Sequence, residues 1–209
     1  MSQVLEKNST IVREVHVTKD ATIADPGPLG LAGFALTTFI LSLSNAKLVP
    51  AEISALFIPI ALFYGGLAQL LAGMWEFKKN NTFGAVAFTS YGAFWLSLAS
   101  LKLLLALKII SLGDASTAGQ ASAWFLVGFA IFTFYMWIAT FKVNNALLVT
   151  FSFLEVTFVL LILADFGLIP SVPGGLLGLV TAFCAWYASA AAIINPLYKR
   201  IVLPVGPRS

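Results

Sequence analysis

The sequence predicts an all-α integral membrane protein, a bundle of six transmembrane helices, on three observations. First, the 209 residues are 59% hydrophobic and 10% charged, against about 25% charged in a soluble domain, with a mean hydropathy of +0.94. Second, the apolar residues fall in continuous runs rather than in the alternating pattern of a transmembrane barrel. Third, the runs between charges reach the length of about 20 residues that a helix needs to cross the hydrocarbon core.

The elements follow in order. Residues 1–24 form a polar tail with Glu6, Lys7, Arg13, Glu14, Lys19 and Asp20. It lacks the apolar core of a signal peptide and is expected to stay in the cytoplasm. A six-helix transmembrane domain is expected over 25–198, with spans at 28–46, 53–75, 83–101 with an extension toward 110, 121–141, 146–164 and 173–194. The links "KLVPAE", "EFKKNNT", "SLGDASTAGQ", "KVNN" and "DFGLIPSVPGG" are short and rich in turn residues. A C-terminal cytoplasmic tail is expected over 199–209.

Charge gives the orientation. Lys7, Arg13, Lys19, Lys78, Lys79, Lys142, Lys199, Arg200 and Arg208 fall on one side, whereas only Lys47, Lys102 and Lys108 fall on the other. Cytoplasmic loops carry the excess of cations, so both termini are assigned to the cytoplasm, in agreement with an even number of spans. The net charge of +3 is thereby explained by topology, and nucleic acid is not expected as a partner.

The entrance to the first span, "DPGPLGL" over 25–31, holds two prolines and two glycines. It reads as a helix start: Asp25 as N-cap, Pro26 at the first helical position and Pro28 within the first turn. Gly30 then permits close approach of a neighbour. Other small residues recur four apart at Ala68/Ala72, Gly174/Gly178 and Ala188/Ala192, a spacing that suits packing within one bundle or between subunits.

Polar groups inside a span are costly and therefore candidates for function. Gln69 and Glu76 lie seven apart in the second span, with Gly65 and Gly73 along the same face. Glu76 sits beside "FKK", where solvation or pairing with a lysine accounts for it. Glu155 stands near the middle of the fifth span, in "ALLVTFSFLEVTFVLLILA", with no cation close in sequence. Three roles are open to it: carrying a proton, lining a wet pore, or contacting another helix as a neutral acid. Phe88, Tyr91 and Trp95 form an aromatic stripe in the third span, and Tyr91 combines an apolar body with the polar tip that a narrow amphipathic constriction requires.

Enzyme chemistry lacks its residues. The one histidine, His16, lies in the polar tail, the one cysteine, Cys184, lies in an apolar run, and no His/Asp/Glu grouping has metal spacing. No catalytic residue, metal or cofactor is expected.

The stretches "DPGPLGLAGFALTTFILSL", "FYGGLAQLLAGMWEFKKNNTFGAVAFTSYGAFWLS" and "GFAIFTFYMWIATFK" resemble the acetate uptake transporter family, the acetate/succinate permeases. The resemblance covers most of 25–142 and continues more loosely to the C-terminus. It implies six helices per subunit, a homo-hexamer in the cell membrane, and a route within each subunit for acetate and related short monocarboxylates, sometimes succinate, as an anion channel or proton-linked permease. The family's hydrophobic gate would fall on Phe34, Tyr91 and Leu154. Gln69 and the Thr37/Thr38 pair become candidate donors to a passing carboxylate, and Glu155 a candidate for proton linkage. The family signature begins with Asn where this chain has Asp25, and has Ala where it has Gly27. Two rival readings accompany this one: a channel for ammonia or another small neutral solute, and an oligomeric membrane scaffold or sensor that uses the polar tail.

Overall fold

The computed structural model describes residues 23–208. Of the polar tail expected over 1–24, only Ile23 and Ala24 fall within them; the rest, His16 included, lies outside the described residues.

The described chain is helical. α1 covers Gly27–Asn45; a 3₁₀ turn, Ala51–Leu56, leads into α2, Phe57–Leu62; a π-helical segment, Phe63–Ala68, joins α2 to α3, Gln69–Lys78. α4 covers Thr82–Ala106, α5 Ala115–Thr140, α6 Asn145–Asp165 and α7 Val172–Tyr198. Grouped by span, six helices are long and apolar enough to cross a membrane: Gly27–Asn45, Glu52–Lys78, Thr82–Ala106, Ala115–Thr140, Asn145–Asp165 and Val172–Tyr198. The expected six-helix membrane bundle is therefore the observed architecture. Because successive spans alternate in direction, the starts of α1, α4 and α6 lie at one end with the finishes of α3, α5 and α7. We call this the Asp25 end and the opposite one the Asp165 end.

Three boundaries differ from expectation. α1 starts at Gly27 with Pro26 as its N-cap, one residue later than "DPGPLGL" suggested. Asp25 still satisfies a first-turn donor, because its carboxylate accepts the Gly27 amide at 3.0 Å. α5 begins six residues before the expected 121, because the Asp114 carboxylate caps it by accepting the Thr117 amide at 2.8 Å. That amide bond holds the Asp114 carboxyl below its usual range, and the polar "ASTAGQ" is helix that hydropathy does not see. α7 runs on through Pro196 to Tyr198 and stops where Lys199 takes a left-handed conformation at φ 51°.

The π segment lies where the second span packs most closely on α1. At Gly33 an added Cβ would stand 2.5 Å from the Tyr64 carbonyl oxygen, and Gly65 lies directly against the Thr37 side chain. α1 and the second span thus touch at backbone distance, and the wide π turn shifts the phase of everything after it. α4 meets α3 as closely, Gly92 lying against the backbone of Leu70. α7 packs most extensively on α1 and then on α6. Its Gly174, Gly175 and Gly178 lie against Leu161, Asn45/Ala46 and Ser42, so the glycine stripe serves packing inside the subunit. The core between these helices is largely aromatic, with Phe34, Tyr91, Phe94, Trp95, Phe151 and Phe158 buried.

Candidate functional site

Two cavities enter the bundle from opposite ends. The larger, about 450 Å³, opens at the Asp25 end and is lined by Asp25, Gln69, Glu76, Lys79, Asn81 and Asn144 among polar residues. The smaller, about 130 Å³, is on the Asp165 side and is lined by Thr38, Ser42, Lys102, Ser122, Thr157 and Asp165 among others. Three side chains line both: Phe34, Tyr91 and Leu154. They come from α1, α4 and α6 respectively, and all three are buried.

Each is fixed by its neighbours. The Phe34 and Tyr91 rings lie 5.6 Å apart between centroids, with Phe132 and Phe151 at 5.2 and 6.2 Å from Tyr91. The Tyr91 hydroxyl shares a 2.8 Å hydrogen bond with Thr133 Oγ1. Thr133 spends its own proton on the Phe129 carbonyl at 2.7 Å, so Tyr91 must be the donor. Its polar tip is thus tied to α5, and its ring is what remains between the cavities.

The Asp25-end cavity is chemically mixed. Gln69 and Glu76 are each 1% exposed, and burial places the glutamate in the wall instead of among solvated lysines. Glu76 accepts a 2.8 Å hydrogen bond from the Asn81 side chain, and the same Asn81 caps α4 by accepting the Gly84 amide at 3.2 Å. Gln69 Oε1 has no partner. At the rim, Lys79 donates to Asp25 at 2.7 Å, both side chains being partly exposed. The starts of α1, α4 and α6 converge here, α6 capped by Asn144, which accepts the Leu147 amide at 2.8 Å. Helix N-termini carry positive partial charge and free amides, an environment that suits a carboxylate.

The chain beyond α7 closes part of this mouth. Asn195 Oδ1 accepts the Val202 and Leu203 amides at 2.8 and 2.9 Å, and its Nδ2 donates to the Leu203 carbonyl at 2.8 Å. Gly206 and Val205 carbonyls accept the Asn145 and Ala146 amides at 2.8 and 3.1 Å. Val205 thereby joins the cavity wall.

Of the residues singled out in the sequence, Phe34, Tyr91, Leu154, Gln69, Thr38 and Asp25 line one or both cavities. Thr37 lines neither; it is buried against Gly65 with its hydroxyl donating to the Gly33 carbonyl at 2.8 Å. Pro26, Pro28 and Gly30 shape the entrance from behind, Gly30 against the Phe88 ring and the Pro28 carbonyl accepting from Ser189 at 2.8 Å. Glu155 also lies outside both linings, and its Oε2 is buried without a partner. Sequence reasoning missed Asn81, Asn144 and Asn195. Their signal was local: each stands at a helix end, where an amide side chain finds backbone partners. Among the described residues no His/Cys/Asp/Glu grouping could hold a metal ion.

The fold has known relatives. A solved structure titled as that of the bacterial acetate channel SatP matches with a TM-score of 0.82 and 35% identity, over 88% of this chain and 100% of the other. The succinate-acetate/proton symporter SatP of Escherichia coli K12 is 36% identical over 186 residues, 88% of this chain and 96% of its own. Ammonia transport outward protein 2 of Saccharomyces cerevisiae is 43% identical over 173 residues, 81% of this chain but 61% of its own length. The chain thus spans under two thirds of that yeast relative. With the model of the GPR1/FUN34/yaaH family matching residues 8–207 on a six-helix membrane bundle, the chain belongs to that family.

Proposed function

We propose that this protein moves acetate and related short-chain monocarboxylates, and succinate more slowly, across the cell membrane by a route within each subunit. The observation that carries the reading is the meeting of two opposed cavities on the same three side chains, Phe34, Tyr91 and Leu154. A carboxylate entering at the Asp25 end exchanges water for the Gln69 amide, the Asn81 and Asn144 caps and the helix starts behind them. The apolar ring then blocks hydrated ions, and passage requires that it dilate or that the acid cross it without water. The chemistry is passage, with no covalent step.

The Asp25 end faces the cytoplasm in this reading, because Lys78, Lys79, Lys142, Lys199, Arg200 and Arg208 stand on that side. Six subunits form the working assembly; large apolar side chains on the outer surface, such as Phe63, Trp75 and Phe134, are available to lipid and to neighbouring copies.

The test is uptake of labelled acetate into vesicles carrying the purified protein. Flux above that of empty vesicles is expected, and Tyr91→Ala should raise it and improve the acceptance of succinate relative to acetate. Uptake equal to empty vesicles overturns the proposal. A second reading, a route for ammonia, is favoured by the name of the yeast relative. It predicts alkalinisation of vesicles by ammonia that acetate does not compete away.

A further inference from the structure

Among the described residues, the buried side-chain atoms without a hydrogen-bond partner are Thr38 Oγ1, Ser44 Oγ, Gln69 Oε1, Thr89 Oγ1, Trp95 Nε1 and Glu155 Oε2. All but the last have a recourse close at hand. The three hydroxyls are on helices, where such a group can turn to a carbonyl of its own helix, as Thr37, Thr150 and Thr157 do. Gln69 and Trp95 each line a cavity that water or solute enters. Glu155 has neither. It lines no cavity, and in the middle of α6 the backbone amides around it are committed to the helix. A carboxyl group at that depth is costly without a donor.

One neighbouring donor is free to change partners. α5 and α6 run antiparallel, and the Trp137 indole of α5 donates to Ser152 of α6 at 2.8 Å. Thr133 precedes Trp137 by four residues and Glu155 follows Ser152 by three, so both stand about one turn further along the same seam, level with each other. Thr133 receives the Tyr91 hydroxyl of α4 at 2.8 Å, and the Glu155 carboxyl acts electrostatically on that hydroxyl. Trp137, Ser152 and Thr133 have committed their protons to Ser152 and to the Leu148 and Phe129 carbonyls. The Tyr91 hydroxyl is held less firmly: if it leaves, Thr133 still donates to Phe129, and no orphaned donor remains. It also crosses the sparsest contact between helices in the bundle, that of α4 with α5. These two meet through rings, with Phe94 5.3 Å from Phe125 and 4.8 Å from Phe129 between centroids.

We propose that Glu155 is a second acceptor for the Tyr91 hydroxyl, and that the constriction opens when the tyrosine hands its hydrogen bond from Thr133 on α5 to Glu155 on α6. The inference rests on the transport reading and makes Glu155 a positioning residue for the gate, one that touches no solute. The arrangement with Tyr91 on Thr133 is then the closed one. The hand-over exchanges one hydrogen bond for another and gives the orphaned Oε2 a donor, so a solute pressing on the ring meets a movable side chain. Glu155 adjoins Leu154, and the new bond therefore pulls on the turn of α6 that carries another member of the constriction. What the role requires is an acceptor. A carboxyl group in either protonation state or a side-chain amide provides one, and an aliphatic side chain does not.

The experiment pairs acetate flux in vesicles with a spectroscopic view of the Tyr91 hydroxyl, both on the full chain. Glu155→Leu should lower acetate flux about tenfold, the effect of one hydrogen bond lost from the open arrangement, whereas Glu155→Gln keeps an acceptor and should retain most of the flux. In a Tyr91→Phe background, which lacks the hydroxyl, Glu155→Leu should have no further effect. In detergent-solubilised protein carrying meta-fluorotyrosine, the ¹⁹F resonance absent from Tyr91→Phe identifies Tyr91. Thr133→Val should shift that resonance, and adding Glu155→Leu to Thr133→Val should shift it again. Three results overturn the hand-over and, given wild-type acetate uptake, leave the transport proposal standing. They are an equal loss of flux from Glu155→Leu with and without the Tyr91 hydroxyl, a loss in Glu155→Gln as deep as in Glu155→Leu, and a Tyr91 resonance in Thr133→Val that Glu155→Leu does not move. Absence of wild-type acetate uptake overturns both.

Discussion

Asp25 stands where the family signature has Asn, and by itself would set a negative charge at the mouth of the Asp25-end cavity. The structure supplies the counterweight, since its carboxylate lies 2.7 Å from Lys79 Nζ while also accepting the Gly27 amide. Both side chains are partly exposed, so the pair contributes at most about 1 kcal/mol to stability. Asp25→Asn keeps an acceptor for the amide and leaves Lys79 unpaired. The expected result is unchanged thermal stability and a lower half-saturating acetate concentration from the Asp25 side at low salt, with the difference vanishing at high ionic strength. A salt titration of acetate flux in the variant checks it. Glu76 is the opposite case: its neighbours "FKK" suggested a solvated or lysine-paired carboxylate, yet the structure buries it against Asn81. Sequence proximity to lysines did not reveal which way that turn of helix faces.

The spans themselves were legible because each element carries its own signal, a run of apolar residues bounded by charge and turn residues. What hydropathy did not register was helix written in polar residues, such as the first turns of α5 beyond its Asp114 cap. Nor did it register the π segment, which lies where the second span packs closely on α1 and has no periodicity of its own. The glycines test this account of packing. Gly33→Ala places a methyl 2.5 Å from the Tyr64 carbonyl oxygen, and overpacking of that kind should cost about 1–3 kcal/mol. Gly128, on α5, has nothing within 4 Å of an added Cβ. Gly128→Ala should stabilise α5 by up to about 1 kcal/mol through helix propensity. Thermal denaturation of the two variants in the same detergent should therefore shift in opposite directions.

At the scale of the whole molecule, the segment after α7 ties the end of one helix to the start of another across the Asp25-end mouth. Deleting residues 200–209 removes the Asn195 partners, frees the Asn145 and Ala146 amides and takes Val205 out of the cavity wall. The six spans do not depend on these bonds, so the truncated protein should still insert and fold. Its thermal midpoint should fall modestly, each lost bond being worth about 1 kcal/mol, and acetate flux from the Asp25 side should rise as the mouth widens. Uptake and thermal stability measured on the same preparation separate the two effects.

The sequence by itself determined the class of molecule, the number and approximate limits of the spans, and the candidates Phe34, Tyr91, Leu154, Gln69 and Thr38, the gate trio among them through the family resemblance. Such features are local: apolar length, turn chemistry and motif order are written in consecutive residues. Only the tertiary structure decided that Thr37 packs against Gly65 while Thr38 lines a cavity, and that Glu155 lies outside both cavities. It alone separated satisfied donors from the orphaned Thr38, Ser44, Thr89 and Trp95. Adjacent residues on a helix face directions about 100° apart. What each meets depends on helices that come from distant parts of the chain.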